Sequence, residues 1–173
     1  MKGRTLDGVV AHYRLLTGAS PMMPLHLFGY IQSKERYVSS DDLINTLKEY
    51  RQRQIPIDMI VQDWHYWPRG QWGRMSMDPK HYPDKKKLAD EIHSLHAKLM
   101  ISIWPNAMNC PQHEEFKRKG WLLSGTSVYD AFNPLARKLY WNYANNEFFG
   151  NDFDAWWCDA SEPLDADWTF MKD

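Results

Sequence analysis

The sequence predicts an α/β fold, namely a partial (β/α)8 TIM barrel with roughly strands 1–4 and the helices between them. Four short apolar runs alternate with helical patterns along the 173 residues, as in successive βαβ units. The runs are almost continuously apolar, which is typical of parallel strands covered on both faces. Acidic or aromatic residues stand where three of these runs end, as they do at the carboxyl face of a barrel.

The first half of the chain predicts two strand–helix units. Residues 9–18 suggest a short helix or a loop, and two prolines then interrupt regular structure. Residues 25–32 have the pattern of a strand, and Ser40 followed by two aspartates predicts a helix capped by Ser40 and stopped by Pro56. The second unit comprises a strand at 57–64, a Pro-, Gly- and Trp-rich loop at 65–83 and a helix capped by Asp84.

The second half predicts a third strand at 98–105 and a short charged helix at 112–120 that Gly120 stops. Asn133 and Pro134 predict the start of another helix, which Gly150 ends. The last run, at 155–158, is predicted to be a fully buried strand that ends in the carboxylate of Asp159. The predicted order is therefore β-α-β-α-β-α-α-β.

Two architectures fit this order, a doubly wound sheet and a barrel. No glycine fingerprint follows the first strand, which disfavours the nucleotide-binding form of the doubly wound sheet. A complete barrel needs about 250 residues and eight strands. We therefore expect residues 1–24 to be a lead-in segment and residues 25–173 to be the N-terminal half of a TIM-barrel catalytic domain, a fragment of a longer enzyme.

Composition excludes several classes of function. The formal net charge of −1 argues against a nucleic-acid partner, and no apolar run is long enough for a membrane span. Cys110 and Cys158 lack metal-ligand spacing and are expected to be free thiols. We expect no metal and no cofactor. The N-terminus lacks an apolar signal core, which indicates either a cytosolic protein or a chain that begins inside a longer gene; in a bacterium the compartment would be cytoplasmic or periplasmic.

The nine tryptophans are the most unusual feature of the composition. Several follow predicted strands, among them Trp64 and Trp104. An indole ring offers a large flat apolar surface with one N–H donor, which suits stacking on a sugar ring. A Trp-rich core is the alternative, and it would account for about half of them.

Asp63 and Asp159 would both face the mouth of a barrel. One carboxylate could bind sugar hydroxyls while the other attacks an anomeric carbon, a reaction that needs a second carboxyl group to protonate the leaving oxygen. The structural alternatives are a helix cap or an ion pair for Asp159, and a salt bridge from Asp63 to Arg69 or Arg74. Glu162 is expected to be a first-turn acid of a following helix.

Several stretches together resemble glycoside hydrolase family 31. Residues 157–162, Trp-Cys-Asp-Ala-Ser-Glu, are similar to the family's nucleophile signature. Further stretches resemble other parts of the family's barrel in order and spacing, namely residues 28–37, 55–64, 72–73, 78–84, 100–105 and 129–134. The resemblance runs from about Ala19 to Pro163. The Gln-Asp-Trp form at 62–64 and the Ser-Lys-Glu-Arg-Tyr form at 33–37 favour the α-xylosidase branch or the related bacterial α-glucosidases.

The resemblance implies a retaining α-glycosidase that acts on a terminal α-xyloside or α-glucoside through a glycosyl-Asp intermediate. Asp159 would be the nucleophile, and Asp63 would bind hydroxyls of the sugar that is cleaved. Trp64, Trp104 and Trp157 would contribute to that subsite. Residues near Glu35 would help to decide whether a hydroxymethyl group fits, and so whether xylose or glucose is preferred.

The acid/base residue of the family comes from a later strand, so this chain alone is expected to be inactive. Its open half-barrel edges predict a homo-oligomer. A non-catalytic carbohydrate-binding half-barrel is the alternative function. A metal-dependent hydrolase is a third possibility, which the absence of clustered histidines and aspartates at strand ends disfavours.

Overall fold

The computed structural model describes residues 5–161 and contains a four-stranded parallel sheet with helices packed against it. The strands lie side by side in chain order, whereas a doubly wound sheet reverses its order at a switch point. This arrangement is that of consecutive barrel strands. The elements are α1 (Leu6–Thr17), β1 (Ile31–Gln32), α2 (Ser40–Gln52), β2 (Met59–Gln62), α3 (Lys85–Ser94), β3 (Lys98–Ile103), α4 (Pro111–Lys119), α5 (Pro134–Glu147) and β4 (Ala155–Cys158).

The core lies between the sheet and helices α2 and α3. Leu43 and Leu47 of α2 and Leu88 and Ile92 of α3 recur at helical spacing, and all four are buried in one cluster with Ile60 of β2. Burial of each such side chain contributes about 1.5–3 kcal/mol relative to exposure. This cluster holds the strands in place so that their carboxyl ends can carry a site.

Three helix boundaries predicted from the sequence are confirmed, whereas α2 ends at Gln52 and not at Pro56. The Asp84 carboxylate accepts the N–H of Lys87, Asn133 caps α5, and Gly120 ends α4 in the left-handed region with φ of 67°. The predicted Ser40 cap is wrong by one residue. Ser39 is the N-cap, because its hydroxyl accepts the N–H of Asp42 while Ser40 already lies in the first turn.

The first predicted strand is much shorter than residues 25–32. Residues Leu25–Phe28 form a 3₁₀ helix after Pro24, and only Ile31 and Gln32 pair with β2. Leu25 and Phe28 are exposed, so the apolar run that suggested a strand is not a buried one. Of the two alternatives for residues 9–18, a short helix or a loop, the structure has the helix, which runs from Leu6 to Thr17, but none of its residues is buried.

The end of α5 and the last strand also differ from the prediction. The helix ends at Glu147 rather than at Gly150, because the chain tightens into a 3₁₀ turn at Phe149–Asn151. The strand at 155–158 is not fully buried, since Trp157 and Cys158 are exposed. The physical reason is its place at the edge of the described sheet, where one side of the strand has no neighbour.

Asp154 ties the start of β4 to the start of β3. Its carboxylate accepts the backbone N–H of Leu99 (2.9 Å) and lies 2.8 Å from Lys98 Nζ and 2.7 Å from His93 Nε2. Burial raises the pKa of Asp154, but these three groups outweigh it and lower the pKa below its ordinary value. Asp154 and its three partners lie at the amino end of the strands, the face of a barrel that serves stability rather than catalysis.

Candidate active site at the carboxyl ends of the strands

The register of β3 and β4 places Trp104, Trp157 and Asp159 on one face of the sheet. Ser102 pairs with Trp157. Side chains alternate between the two faces of a strand, so Trp104, two residues after Ser102, and Asp159, two residues after Trp157, continue that face. Trp104 and Asp159 therefore follow directly after the ends of β3 and β4 and lie next to each other on neighbouring strands.

Asp63 joins the same face from β2. Val61 pairs with Met100, and Asp63 lies two residues after Val61 as Ser102 lies two after Met100. The alternation of side chains therefore places Asp63 beside Ser102, on the same face as Trp104. The described strands thus bring together at one edge most of the residues that the sequence singled out.

Asp159 is held by its backbone and by one carboxylate oxygen. Its N–H donates to the carbonyl of Ile103 (2.9 Å), and its Oδ1 accepts the N–H of Ala160 (2.9 Å). No cation of the described chain forms an ion pair with it, so the ion-pair alternative has no support there. No hydrogen bond within residues 5–161 involves its Oδ2. The prediction for Glu162 lies outside the described residues.

Asp63 repeats this arrangement. Its Oδ1 accepts the N–H of the following residue, Trp64, at 2.8 Å. Neither arginine named in the salt-bridge alternative is within ion-pair distance among residues 5–161; Arg74 Nη1 donates to Gln71 instead (2.5 Å). Both candidate aspartates are half-buried and keep a carboxylate oxygen without a described partner.

Four tryptophans form a cluster beside Asp63, and we call Trp64, Trp67, Trp72 and Trp104 the tryptophan cluster. Trp67 meets Trp104 edge-on at 5.2 Å between centroids, and Trp72 lies 5.4 Å from Trp67 and 5.6 Å from Trp64. Trp67 and Trp104 are only 4% and 3% exposed. The cluster therefore belongs partly to the core, which agrees with the alternative of a Trp-rich core. Trp104 can contact a ligand only through the edge of its ring.

A glycine permits the close packing around this cluster. Gly73 has φ of +65°, and a Cβ at this position would lie 2.0 Å from the carbonyl oxygen of Asn106. The neighbouring Trp72 donates its indole N–H to Asn106 Oδ1 (3.4 Å) and accepts the Met108 N–H at its carbonyl (2.9 Å). The loop after β2 thereby docks onto the loop after β3.

The two tryptophans of β4 have opposite surroundings. Trp156 stacks on Phe149 (5.2 Å, 10° between planes) and packs edge-on against Trp141 and Phe148 on the helical side of the sheet. Trp157 points to the other side and is 42% exposed. Of these two rings, only Trp157 is therefore exposed on the face that holds Asp159.

Glu35 lies exposed in the loop between β1 and α2, and no ion pair of the described chain involves it. The next residue, Arg36, reaches across to the loop after β2. Arg36 Nη1 lies 3.0 Å from His65 Nδ1, and its guanidinium lies 5.4 Å from the Trp64 ring centroid. Sequence reasoning did not identify Arg36, because nothing local to a loop residue shows which other loop it will meet.

Arg36 and His65 border a cleft of about 410 Å³ between the loops after β1 and β2. Asp63 and Asp159 are not among its lining residues. Burial, then the Arg36 charge, lower the pKa of His65 below its ordinary value.

Within the described part of the chain, no group of three or more His, Cys, Asp or Glu side chains could hold a metal ion. His93 and His96, which lie three residues apart, do not form such a group; His93 pairs with Asp154 instead. The two cysteines are free, as expected, with Cys110 buried and Cys158 exposed. Among residues 5–161 no helix has the length and apolar character needed to cross a membrane.

Residues 20–173 match the family model of the glycosyl hydrolases family 31 TIM-barrel domain. An α-xylosidase of Saccharolobus solfataricus is 41% identical over 162 residues, which cover 93% of this chain and 22% of that protein. The chain thus spans about a fifth of the length of this relative.

Two solved structures have the same fold over most of the chain. A family 31 α-xylosidase from Xanthomonas citri superposes with a TM-score of 0.84 at 38% identity, covering 94% of this chain and 20% of that one. A family 31 α-xylosidase from a soil metagenome, solved in complex with xylose, superposes with a TM-score of 0.78 at 34% identity. The match covers 85% of this chain and 24% of the metagenomic enzyme.

Proposed function

Because this chain belongs to glycoside hydrolase family 31, we propose that it carries the nucleophile half of the active site of a retaining α-glycosidase. One observation carries the proposal. Asp159 ends a barrel strand with a carboxylate oxygen that has no described partner, on the face that also holds Asp63, Trp104 and Trp157. Strand ends of this kind are where barrel enzymes hold their catalytic groups.

In the proposed reaction, Asp159 attacks the anomeric carbon while an acid protonates the departing oxygen. The resulting glycosyl-Asp ester is then hydrolysed by water, with the same acid/base group acting as base. Asp63 accepts hydrogen bonds from hydroxyls of the cleaved sugar. Trp157 offers its exposed face to the sugar ring, whereas Trp64 and the edge of Trp104 limit the pocket on the β2 and β3 side.

Asp63 does not fit the role of the acid/base. In retaining enzymes the two carboxyl groups lie roughly 5–5.5 Å apart. Asp63 and Asp159 end strands that have β3 between them, which corresponds to about 10 Å between backbones. We therefore propose that the 173-residue chain alone does not hydrolyse glycosides at a useful rate, and that the activity requires a carboxyl group from outside it.

For the substrate, we propose a terminal α-linked xylose, with α-linked glucose as the alternative. The similarity to the α-xylosidases described above supports the first choice. Glu35 lies in the loop after β1, and we propose that this loop decides whether the hydroxymethyl group of glucose is accommodated.

The second candidate is a non-catalytic half-barrel that only binds carbohydrate. The exposed Trp157 beside two aspartates that lack ion-pair partners in the described chain would serve binding as well as catalysis. The two candidates differ in whether turnover appears once the rest of the gene product is present.

We also propose that the isolated chain self-associates. Strands β1 and β4 each pair on one side only within the described sheet, and no residue of α1 is buried although its Leu6, Leu15 and Leu16 are apolar. Unpaired strand edges and large apolar patches favour association with another chain. A dimer or larger species in light scattering at micromolar concentration is expected, and a well-folded monomer would contradict this.

The experiment compares two proteins on aryl α-xylosides and aryl α-glucosides: the 173-residue chain and the product of the full gene that encodes it. We expect no turnover by the chain, and turnover by the full product that Asp159→Ala abolishes. Robust turnover by the chain that Asp159→Ala removes would disprove its proposed inactivity. A full product that binds xylose but never turns over would favour the non-catalytic candidate.

A further inference from the structure

The cleft between the loops after β1 and β2 has features that the proposed glycosidase reaction does not use. Its polar lining consists of Arg36, His65, Arg69, Asp78 and His81. A second groove of about 260 Å³ shares His65, Trp67 and Arg69 with it and continues towards Asn109. The volume of the larger cleft, about 410 Å³, is that of a typical small-molecule site.

The contact between Arg36 and His65 determines which hydrogen-bond donors these two lining residues can offer. A guanidinium can only donate hydrogen bonds, so His65 Nδ1 must be the acceptor across 3.0 Å and the neutral ring carries its proton on Nε2. Arg36 uses one of its five N–H donors in this bond, and the described residues provide no partner for the others. The residues that line the cleft therefore include a neutral imidazole with one N–H donor next to a guanidinium with free donors.

The fixed charges of the lining do not cancel. Arg36 and Arg69 are cations, and Asp78 is the counter-charge among the lining residues. No ion pair within residues 5–161 involves any of these three groups. A guanidinium with free donors matches the bidentate geometry of a carboxylate.

We propose that this cleft binds a saccharide unit that carries a carboxylate, that is, a uronic acid. The guanidinium groups of Arg36 and Arg69 bind the carboxylate, and His65 Nε2 donates to a sugar hydroxyl. The buried aromatic rings of Tyr66 and Trp67 form the apolar floor. This inference goes beyond the proposed hydrolysis, because the site includes neither aspartate of the strand ends and its test requires no turnover.

The test titrates the 173-residue chain with two matched probes, methyl α-D-glucuronoside and methyl α-D-glucoside, followed by NMR of the histidine side chains. The two probes have the same ring and differ in the carboxylate. We expect the glucuronoside to bind at least tenfold more tightly, and sodium acetate not to compete at the same concentration. Equal affinity for both glycosides, or equal competition by acetate, would overturn the proposal.

Variants assign the effect to the two arginines. Arg69→Gln and Arg36→Gln should each weaken glucuronoside binding about tenfold. Arg53→Gln, at the exposed residue that follows α2, should leave it unchanged. Arg69 lines the cleft and forms no ion pair within residues 5–161, so its replacement tests the site even if Arg36→Gln disturbs the loop. Unchanged affinity in Arg69→Gln would contradict the assignment.

The ionisation of His65 gives an independent readout. The charged and titratable groups that line the cleft with it are Arg36 from the loop after β1 and Tyr66, Arg69, Asp78, His81 and Tyr82 from the loop after β2. A bound carboxylate adds negative charge beside Arg36, so the pKa of His65 should rise with the glucuronoside and stay constant with the glucoside. A constant pKa with a saturating glucuronoside would contradict the proposed position of the carboxylate.

Discussion

The backbone N–H of Asp159 donates a 2.9 Å hydrogen bond to the carbonyl oxygen of Ile103. This bond continues the parallel ladder between β3 and β4 by one residue beyond the last residue of β4, Cys158. The position of the candidate nucleophile is therefore set by the sheet and not by a loop. Sites built on strands are held more closely to one geometry than sites on loops.

The alternation of side chains along β4 gives a prediction about its two tryptophans. Trp156→Ala removes contacts with three aromatic rings and should lower the free energy of unfolding by about 3 kcal/mol. Trp157→Ala removes an exposed ring and should change it by less than about 1 kcal/mol. Urea denaturation of both variants measures this; a larger loss for Trp157→Ala would mean that the assigned faces are reversed.

A second prediction concerns Asp154 and pH. Since its pKa is lowered in the folded state, the carboxylate stabilises the fold above its ordinary pKa, and this contribution is lost as the pH falls through the lowered value. Asp154→Asn should cost about 2 kcal/mol at pH 7 and should flatten the loss of stability below about pH 4.

Asp152→Asn is the matched control for this prediction. Asp152 pairs with Lys86 at 3.0 Å, but both side chains are about half exposed, and surface pairs contribute less than about 1 kcal/mol. Urea denaturation of both variants and the parent chain at pH 7 and at pH 3.5 measures the contribution of each aspartate to the free energy of unfolding. An acid-dependent loss in Asp154→Asn as steep as in the parent chain would assign that loss to other carboxylates.

A third prediction concerns the docking of the loop after β2. Gly73→Ala forces a Cβ against the Asn106 carbonyl and strains a left-handed residue. We expect a loss of about 3 kcal/mol or more, together with a changed near-UV circular dichroism signal of the tryptophan cluster. Gly70→Ala, at φ of +80° with open space around it, should cost only about 1–2 kcal/mol.

Equal effects of the two glycine substitutions would show that the close approach to Asn106 is not what requires glycine at position 73. Gly73 and Gly70 have similar φ angles, so the two variants differ mainly in whether the added Cβ meets another part of the chain. The measurement is thermal unfolding of the two variants beside the parent chain.

Local signals in the sequence were sufficient for the fold class and for three helix ends, whereas β2 and β3 each end two residues before the predicted position. The caps at Asp84 and Asn133 and the αL glycine at 120 are short-range features, and each is confirmed. The long first strand was wrong because an apolar run does not reveal whether a neighbour exists to pair with it. The same reason explains Trp157, whose exposure depends on what lies across the sheet and not on its own sequence.

The site was only partly predictable for a related reason. Asp63 and Asp159 follow apolar strands directly, so their common edge could be inferred from the parallel arrangement. The approach of Arg36 to His65 joins residues 29 positions apart in two irregular loops, and no periodic pattern encodes it. The distinction between Trp104 as core and Trp157 as surface likewise required the tertiary structure.

The most direct test of the central claim is to trap the proposed covalent intermediate. The full gene product is incubated with 5-fluoro-α-D-xylosyl fluoride, whose good leaving group allows the first step and whose ring fluorine slows the second. We expect peptide mass spectrometry to find one fluoroxylosyl group on Asp159, and none in the Asp159→Ala variant. A label on Asp63 or on another residue, or inactivation without a label on Asp159, would contradict the account.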